Sequence, residues 1–199
     1  MLKVTKFGGS SLADAKQFKK VADIIKADKD RRYVVPSAPG TRFDGDIKVT
    51  DMLIALYELA AKGEELDEQL AKIKERYDDI IKGLKIKDFN IDDEFAAIKA
   101  ELEYNPTCDF AASRGEYLNG LIMAKYLGFE FVDPKELIFF NEEHGLNTYK
   151  TEKKVDERLK NIEYAVMPGF YGSDKLGQIM TFSRGGSDIT GSIVAARSE

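Results

Sequence analysis

The chain has 199 residues, 43% hydrophobic and 33% charged, with five prolines, a balance that fits one soluble globular unit and excludes a disordered tract. The lone Cys108 excludes an internal disulfide, and the single histidine, His144, excludes a two-histidine metal motif. A net charge of -5 with a pI near 5.2 argues against a nucleic-acid partner, and the opening run holds no apolar stretch for export or membrane spanning, so a cytoplasmic protein is expected.

Leu2, Val4 and Phe7, interleaved with Lys3 and Lys6, predict a short strand that ends in a tight loop at Gly8-Gly9. Ser11-Leu-Ala-Asp14 has capping-box spacing, with Asp in place of the usual Glu, and Phe18, Val21, Ile24 and Ile25 then line one helical face. Tyr33-Val-Val predicts a second strand stopped by Pro36. Ser37-Ala-Pro-Gly-Thr opens a polar loop that runs to about Lys48, a place suited to ligand contacts.

From Val49 to Lys62, Leu53, Leu56, Leu59 and Ala60 recur at helical spacing up to Gly63. Leu66, Leu70, Ile73, Tyr77, Ile80 and Leu84 mark one face of a longer helix, read as packing and not as a cofactor surface, and Phe95, Ile98 and Leu102 mark a third. Residues 49–104 thus form a helical section inserted between strand-rich parts. Ser113 to Leu127 predicts a further helix, and Phe-Glu-Phe-Val after Gly128 a strand. The apolar run Leu137-Ile-Phe-Phe reads as another strand buried on both sides. A helix over 152–160, a strand at 164–167, a hairpin turn over 172–177 and a last helix from about Ser187 complete the chain. Strands alternating with helices predict an α/β fold, a mostly parallel sheet sandwiched by helices.

Walker and GxGxxG loops and zinc signatures are all absent from the sequence. Lys6-Phe-Gly-Gly-Ser-Ser11 places flexible backbone at a helix start beside a cation, an arrangement that suits phosphate, although a glycine pair after a strand is also a plain turn. Ser183-Arg-Gly-Gly-Ser-Asp188 is a second glycine turn. Ser187 or Asp188 could serve there as a helix cap, while Arg184 beside two glycines could meet a carboxylate closely. In Ser113-Arg-Gly-Glu-Tyr117, Glu116 near a helix start suits either the helix dipole or a ligand cation.

Taken in order, KFGGSS, VVPSAPG, SRGEYLNG, PGFYGSDKLG and FSRGGSDITG resemble the aspartate kinases of the amino acid kinase family, over nearly the whole chain. The resemblance implies a three-layer kinase-like fold and transfer of the γ-phosphate of ATP, with Mg2+, onto the side-chain carboxylate of L-aspartate. That is the first step toward lysine, threonine and methionine. It assigns Glu116 to the substrate ammonium, Arg184 to the α-carboxylate, Ser37, Thr50 and Ser187 to polar substrate contacts, and Lys6, Gly8, Gly9 and Ser10 to phosphate. Asp188 would hold the phosphate-side lysines in place, so Lys6 and Asp188 are the expected catalytic pair. No general base is needed, because the attacking carboxylate is already ionised at neutral pH.

By the same resemblance the chain is an incomplete catalytic domain: 1–48 for the phosphate and substrate loops, 49–104 for the helical section, and 105–199 for the rest of the substrate-binding part. It is expected to be cut short after Ala195-Ala-Arg-Ser-Glu199, without a second lysine, most nucleotide contacts or the regulatory ACT-type domains, and the full-length protein is expected to form a homo-oligomer. Pro36 and Pro39 depart from the alanine or glycine more usual around Ser37. Two alternatives remain at this point: another amino acid kinase, or a non-catalytic ligand-binding module on the same sheet.

Overall fold

A strand that is paired along both edges and covered on both faces must be apolar throughout, and the Val34-Val35 run is such a segment. In the computed structural model, which describes residues 1–183 and 185–197, it lies in β2 (Arg31–Pro36). On one side β2 pairs in parallel with β1 (Lys3–Phe7), Lys6 opposite Val35. On the other it pairs in parallel with β4 (Ala165–Val166), Tyr33 opposite Ala165. The strand β3 (Glu130–Phe131) closes the sheet beyond β4, giving the order β1-β2-β4-β3. Pro36 stands at the last position of β2, where a missing N–H costs no ladder bond.

Successive residues of these strands face opposite sides, and the core divides accordingly. Val34 and Val166 belong to a cluster built with α1 (Ala15–Lys26), α2 (Val49–Lys62), α3 (Asp67–Leu84), α4 (Asp92–Tyr104) and α5 (Cys108–Leu127). Tyr33, Ala165 and Met167 belong to a second cluster, with Val155 and Leu159 of α6 (Thr148–Leu159) and Val194 of α7 (Gly186–Ala196). Helices therefore cover both faces of the parallel sheet, as expected. The antiparallel hairpin β5 (Tyr171–Ser173) and β6 (Ile179–Thr181) stands apart as a two-stranded sheet. No helix among the described residues is long and apolar enough to cross a membrane.

The helical section matches its reading. Leu70, Ile73, Tyr77, Ile80 and Leu84 of α3 are all buried, as are Phe95, Ile98 and Leu102 of α4. α2 ends at Gly63 in the left-handed region, φ 69°, the conformation that lets the chain leave a helix at once.

Four local readings are corrected. Asp14 is itself the cap of α1, accepting from the Gln17 N–H at 2.8 Å, and Ser11 sits one turn earlier in a short 3-10 segment. Ile24 is 47% exposed, so the buried face of α1 is Phe18, Val21, Ala22 and Ile25. α5 begins at Cys108, five residues before the expected start, with the Thr107 hydroxyl accepting from Phe110 N–H at 3.2 Å. The missed turn runs from exposed Cys108 through part-buried Asp109 and Phe110 to buried Ala111 and Ala112, too short and mixed for an apolar stripe to mark it.

Leu137-Ile-Phe-Phe is no strand. The Ile138 N–H turns back to Pro134 O and the Phe139 N–H donates to the Thr151 hydroxyl, which leaves only isolated bridges at Phe139 and Phe140.

Candidate active site

The C-terminal ends of β1 and β2, the loop that follows each, and the middle of α5 converge on one cavity of 350 Å³. Gly9, Ser10, Ser37, Thr50 and Glu116, all expected at a substrate or phosphate site, line it together. A crevice beyond the carboxyl ends of parallel strands is where α/β sheets place ligands, because helix starts and loop amides collect there.

The first wall is the glycine loop. Gly9 packs backbone to backbone against the second loop: its carbonyl accepts from Gly40 N–H at 2.9 Å, and a Cβ on it would fall 2.8 Å from Ala38 O. That close approach requires glycine at position 9. Gly8 does not line the cavity. It lies beside the Lys6 ammonium, which a Cβ there would approach at 3.9 Å.

Lys6, at the end of β1, has its Nζ 3.1 Å from Asp188 Oδ1 in the first turn of α7. Asp188 is therefore an ion-pair partner and not a cap. The residue before α7 is Gly185 at φ 64°, and no side chain caps that end. Ser187 is likewise engaged elsewhere, because the Ser37 hydroxyl donates to its Oγ at 3.0 Å. Ser37 is fixed further by its N–H, which donates to Phe7 O at 3.0 Å, and by its carbonyl, which accepts from Asn119 Nδ2 at 2.7 Å. α7 reaches this position because Gly169 gives it room: a Cβ there would meet Ser187 Cα at 2.5 Å.

The floor is α5. Glu116 is not near the start of that helix, as the shorter helix implied, but in its third turn, so the helix dipole does not account for it. It is 6% exposed, and its Oε2 is buried without a hydrogen-bond partner. Burial pushes its carboxyl up to about 7, against a smaller opposing pull from the Ala38 backbone amide and the Arg114 charge. A carboxyl so placed lacks a partner for one oxygen.

The helix is held at this level by Tyr77 of α3, whose hydroxyl donates to Gly115 O at 2.8 Å. Gly115 itself is needed because a Cβ would fall 2.8 Å from Ala38 Cβ. Arg114 turns away from the cavity and stacks on the rings of Phe110, Tyr117 and Tyr171, at 4.8, 4.4 and 5.3 Å.

The structure thus brings together Lys6, Gly9, Ser10, Ser37, Thr50, Glu116, Ser187 and Asp188. Arg184 lies outside the described residues. Thr41 and Lys48 also line the cavity, and Asn119 fixes Ser37; none of the three was singled out in the sequence. Thr41 and Lys48 sit in an irregular loop that offers no periodicity. Asn119 lies three residues after Glu116 on α5 and so shares its face, which was the one signal available.

The arrangement has counterparts. Aspartokinase 3 of Bacillus subtilis is 37% identical over 98% of this chain and 46% of its own length. Lysine-sensitive aspartokinase 3 of Escherichia coli is 27% identical over 96% and 45%. Among solved structures, the aspartate kinase of Clostridium acetobutylicum superposes with a TM-score of 0.94 at 47% identity, over 98% of this chain and 45% of that one. Aspartokinase III of E. coli, solved with lysine and aspartate, gives 0.80 at 25%, over 99% and 47%. The chain spans about half the length of each of these four. The model of the amino acid kinase family covers residues 1–199, the glycine loop, the Glu116 helix and the Lys6–Asp188 pair included, and the chain belongs to that family.

Proposed function

We propose that this chain carries the acidic-substrate and phosphate half of an aspartate kinase, which transfers the γ-phosphate of ATP to the side-chain carboxylate of L-aspartate. The observation that carries the reading is Glu116: a buried carboxyl with a free oxygen, in a cavity shared with a glycine loop and the hydroxyls of Ser37 and Thr50. A substrate ammonium supplies the missing cation, which favours a free α-amino acid over an amine-blocked one. The complex of E. coli aspartokinase III with aspartate supports the same substrate.

In the proposed reaction an oxygen of the substrate's side-chain carboxylate attacks the γ-phosphorus. A P–O bond forms there as the bond to the leaving ADP oxygen breaks, and the product is 4-phospho-L-aspartate. No proton moves, so no base is required. Charge on the equatorial oxygens is met by the Lys6 ammonium and the glycine-loop amides, and Asp188 keeps Lys6 aimed. In this reading Mg2+ enters with ATP, as part of the MgATP substrate. Arg184 is assigned to the α-carboxylate by the family pattern.

Because the chain is proposed to be only this half and is expected to lack most nucleotide contacts, the test is to incubate the full-length protein with L-aspartate, MgATP and hydroxylamine. An aspartate-dependent hydroxamate is expected. Hydroxamate formed equally from N-acetyl-L-aspartate, or ATP consumption indifferent to aspartate, would overturn the reading.

A further inference from the structure

A loop that lines a cavity keeps its shape only when its backbone groups have partners. Residues 37–48 join β2 to α2 without regular structure, and they fold around Asp46. Its Oδ2 accepts from Arg42 N at 2.8 Å and from Arg42 Nε at 2.9 Å, and its Oδ1 from Arg42 Nη2 at 3.0 Å. Arg42 holds this carboxyl well below the usual carboxylate range.

From the opposite side comes Arg76 of α3, 5% exposed. Its Nη2 donates to Gly40 O at 2.9 Å, its Nη1 donates to Ile47 O at 2.9 Å, and Nη1 lies 3.4 Å from Asp46 Oδ2. One guanidinium therefore grips both ends of the segment that carries Thr41 and Lys48 into the cavity. The link continues, because Gly40 N–H donates to Gly9 O at 2.9 Å. A continuous path runs from α3 through Arg76 and Gly40 to the glycine loop.

Placing an arginine here is costly, since its Nε is buried without a partner. A leucine or methionine would fill the space more cheaply, yet only a planar fork can meet two carbonyls and a carboxylate at once.

We propose that Arg76 is a positioning residue, which touches no substrate but sets the substrate loop and, through Gly40, its distance from the glycine loop. Its bearing on L-aspartate rests on the function proposed above, whereas its bearing on the loop does not. The helical section thereby becomes part of the site.

The experiment compares wild type, Arg76→Lys, Arg76→Met and Asp46→Asn by three readouts: amide hydrogen exchange at Gly40, Arg42 and Val49, calorimetric affinity for L-aspartate, and melting temperature. Arg76→Lys keeps the charge but cannot bridge both carbonyls. It is expected to melt close to wild type, while loop exchange quickens and aspartate affinity falls by about 10- to 100-fold, the equivalent of one or two charge-assisted hydrogen bonds. Asp46→Asn is expected to show a smaller change of the same kind, and it decides the matter together with Arg76→Lys if Arg76→Met fails to fold. Unchanged loop exchange in folded Arg76→Lys and Asp46→Asn would overturn the proposal. Faster exchange in a protein whose wild type binds no L-aspartate would leave the clasp standing and sink the substrate instead.

Discussion

Glu116 is the residue on which the proposed substrate site turns, and its burial gives it a pH signature. Its carboxyl ionises near 7 in the folded protein and near 4.5 when unfolded. Between those values the folded state holds the extra proton, so the contribution of Glu116 to stability is full below about pH 4.5, declines as pH rises to 7, and is flat beyond. Ligand binding runs the other way. A substrate ammonium needs the ionised carboxylate, so the affinity for L-aspartate is expected to weaken about tenfold per unit as pH falls below 7. Calorimetry of the wild type across pH 5.5 to 8 checks this, and an affinity that does not move over that range would contradict it.

Lys6 makes a separate prediction. Lys6→Ala is expected to lower kcat about 100-fold or more with a smaller change in KM for aspartate, because a preorganised transition-state donor is lost while Glu116 remains. Steady-state kinetics of the full-length protein check it, and near-normal turnover there would reject it.

At this scale the sequence was informative mainly where a motif carried the residue: Gly9, Ser37 and Glu116 line one cavity, Ser187 bonds Ser37 and Asp188 pairs with Lys6, while Thr50, which lines the cavity too, lies in none of the motifs. Asn119, Lys48 and Arg76 were not legible, because their roles depend on which backbone atoms the fold brings within reach.

Among the elements, α5 matters most to the site and was the hardest to delimit. Its buried side chains include Ser113, Arg114, Glu116 and Asn119, so polar residues that look solvent-facing in sequence are interior, and amphipathic spacing loses its meaning. α3 shows the contrary case. One apolar stripe predicted it correctly, and that stripe contains Tyr77, whose hydroxyl is the tie to the backbone one residue before Glu116.

Tyr77→Phe should leave the packing intact but remove the second of two bonds to the Gly115 carbonyl, which keeps its helical one, costing about 0.5–1.5 kcal/mol in denaturant unfolding with little change in m. Because the bond also fixes the height of Glu116, aspartate affinity should fall with it. A neutral Tyr77→Phe would mean that the helical bond alone satisfies the Gly115 carbonyl. The misread Leu137 run shows a further limit: apolar character marks burial, while strand formation needs backbone donors that here are spent on a turn and on Thr151.

For the molecule as a whole, three layers and a parallel sheet were foreseeable from alternating strands and helices, since only that arrangement buries strands apolar on both faces. Where the layers meet was not. Long connections bring the ends of β1 and β2, the body of α5 and the start of α7 to one crevice, and the pair Ser37–Ser187 spans 150 positions of sequence. The same convergence makes the central claim testable with one titration series: L-aspartate and N-acetyl-L-aspartate into the folded wild-type chain and into Glu116→Gln. The account predicts binding of L-aspartate to wild type alone, with no heat from the acetylated acid and none from Glu116→Gln. Equal binding of both acids, or aspartate affinity unchanged in Glu116→Gln, would contradict it, because the buried carboxylate would then not be the ammonium site.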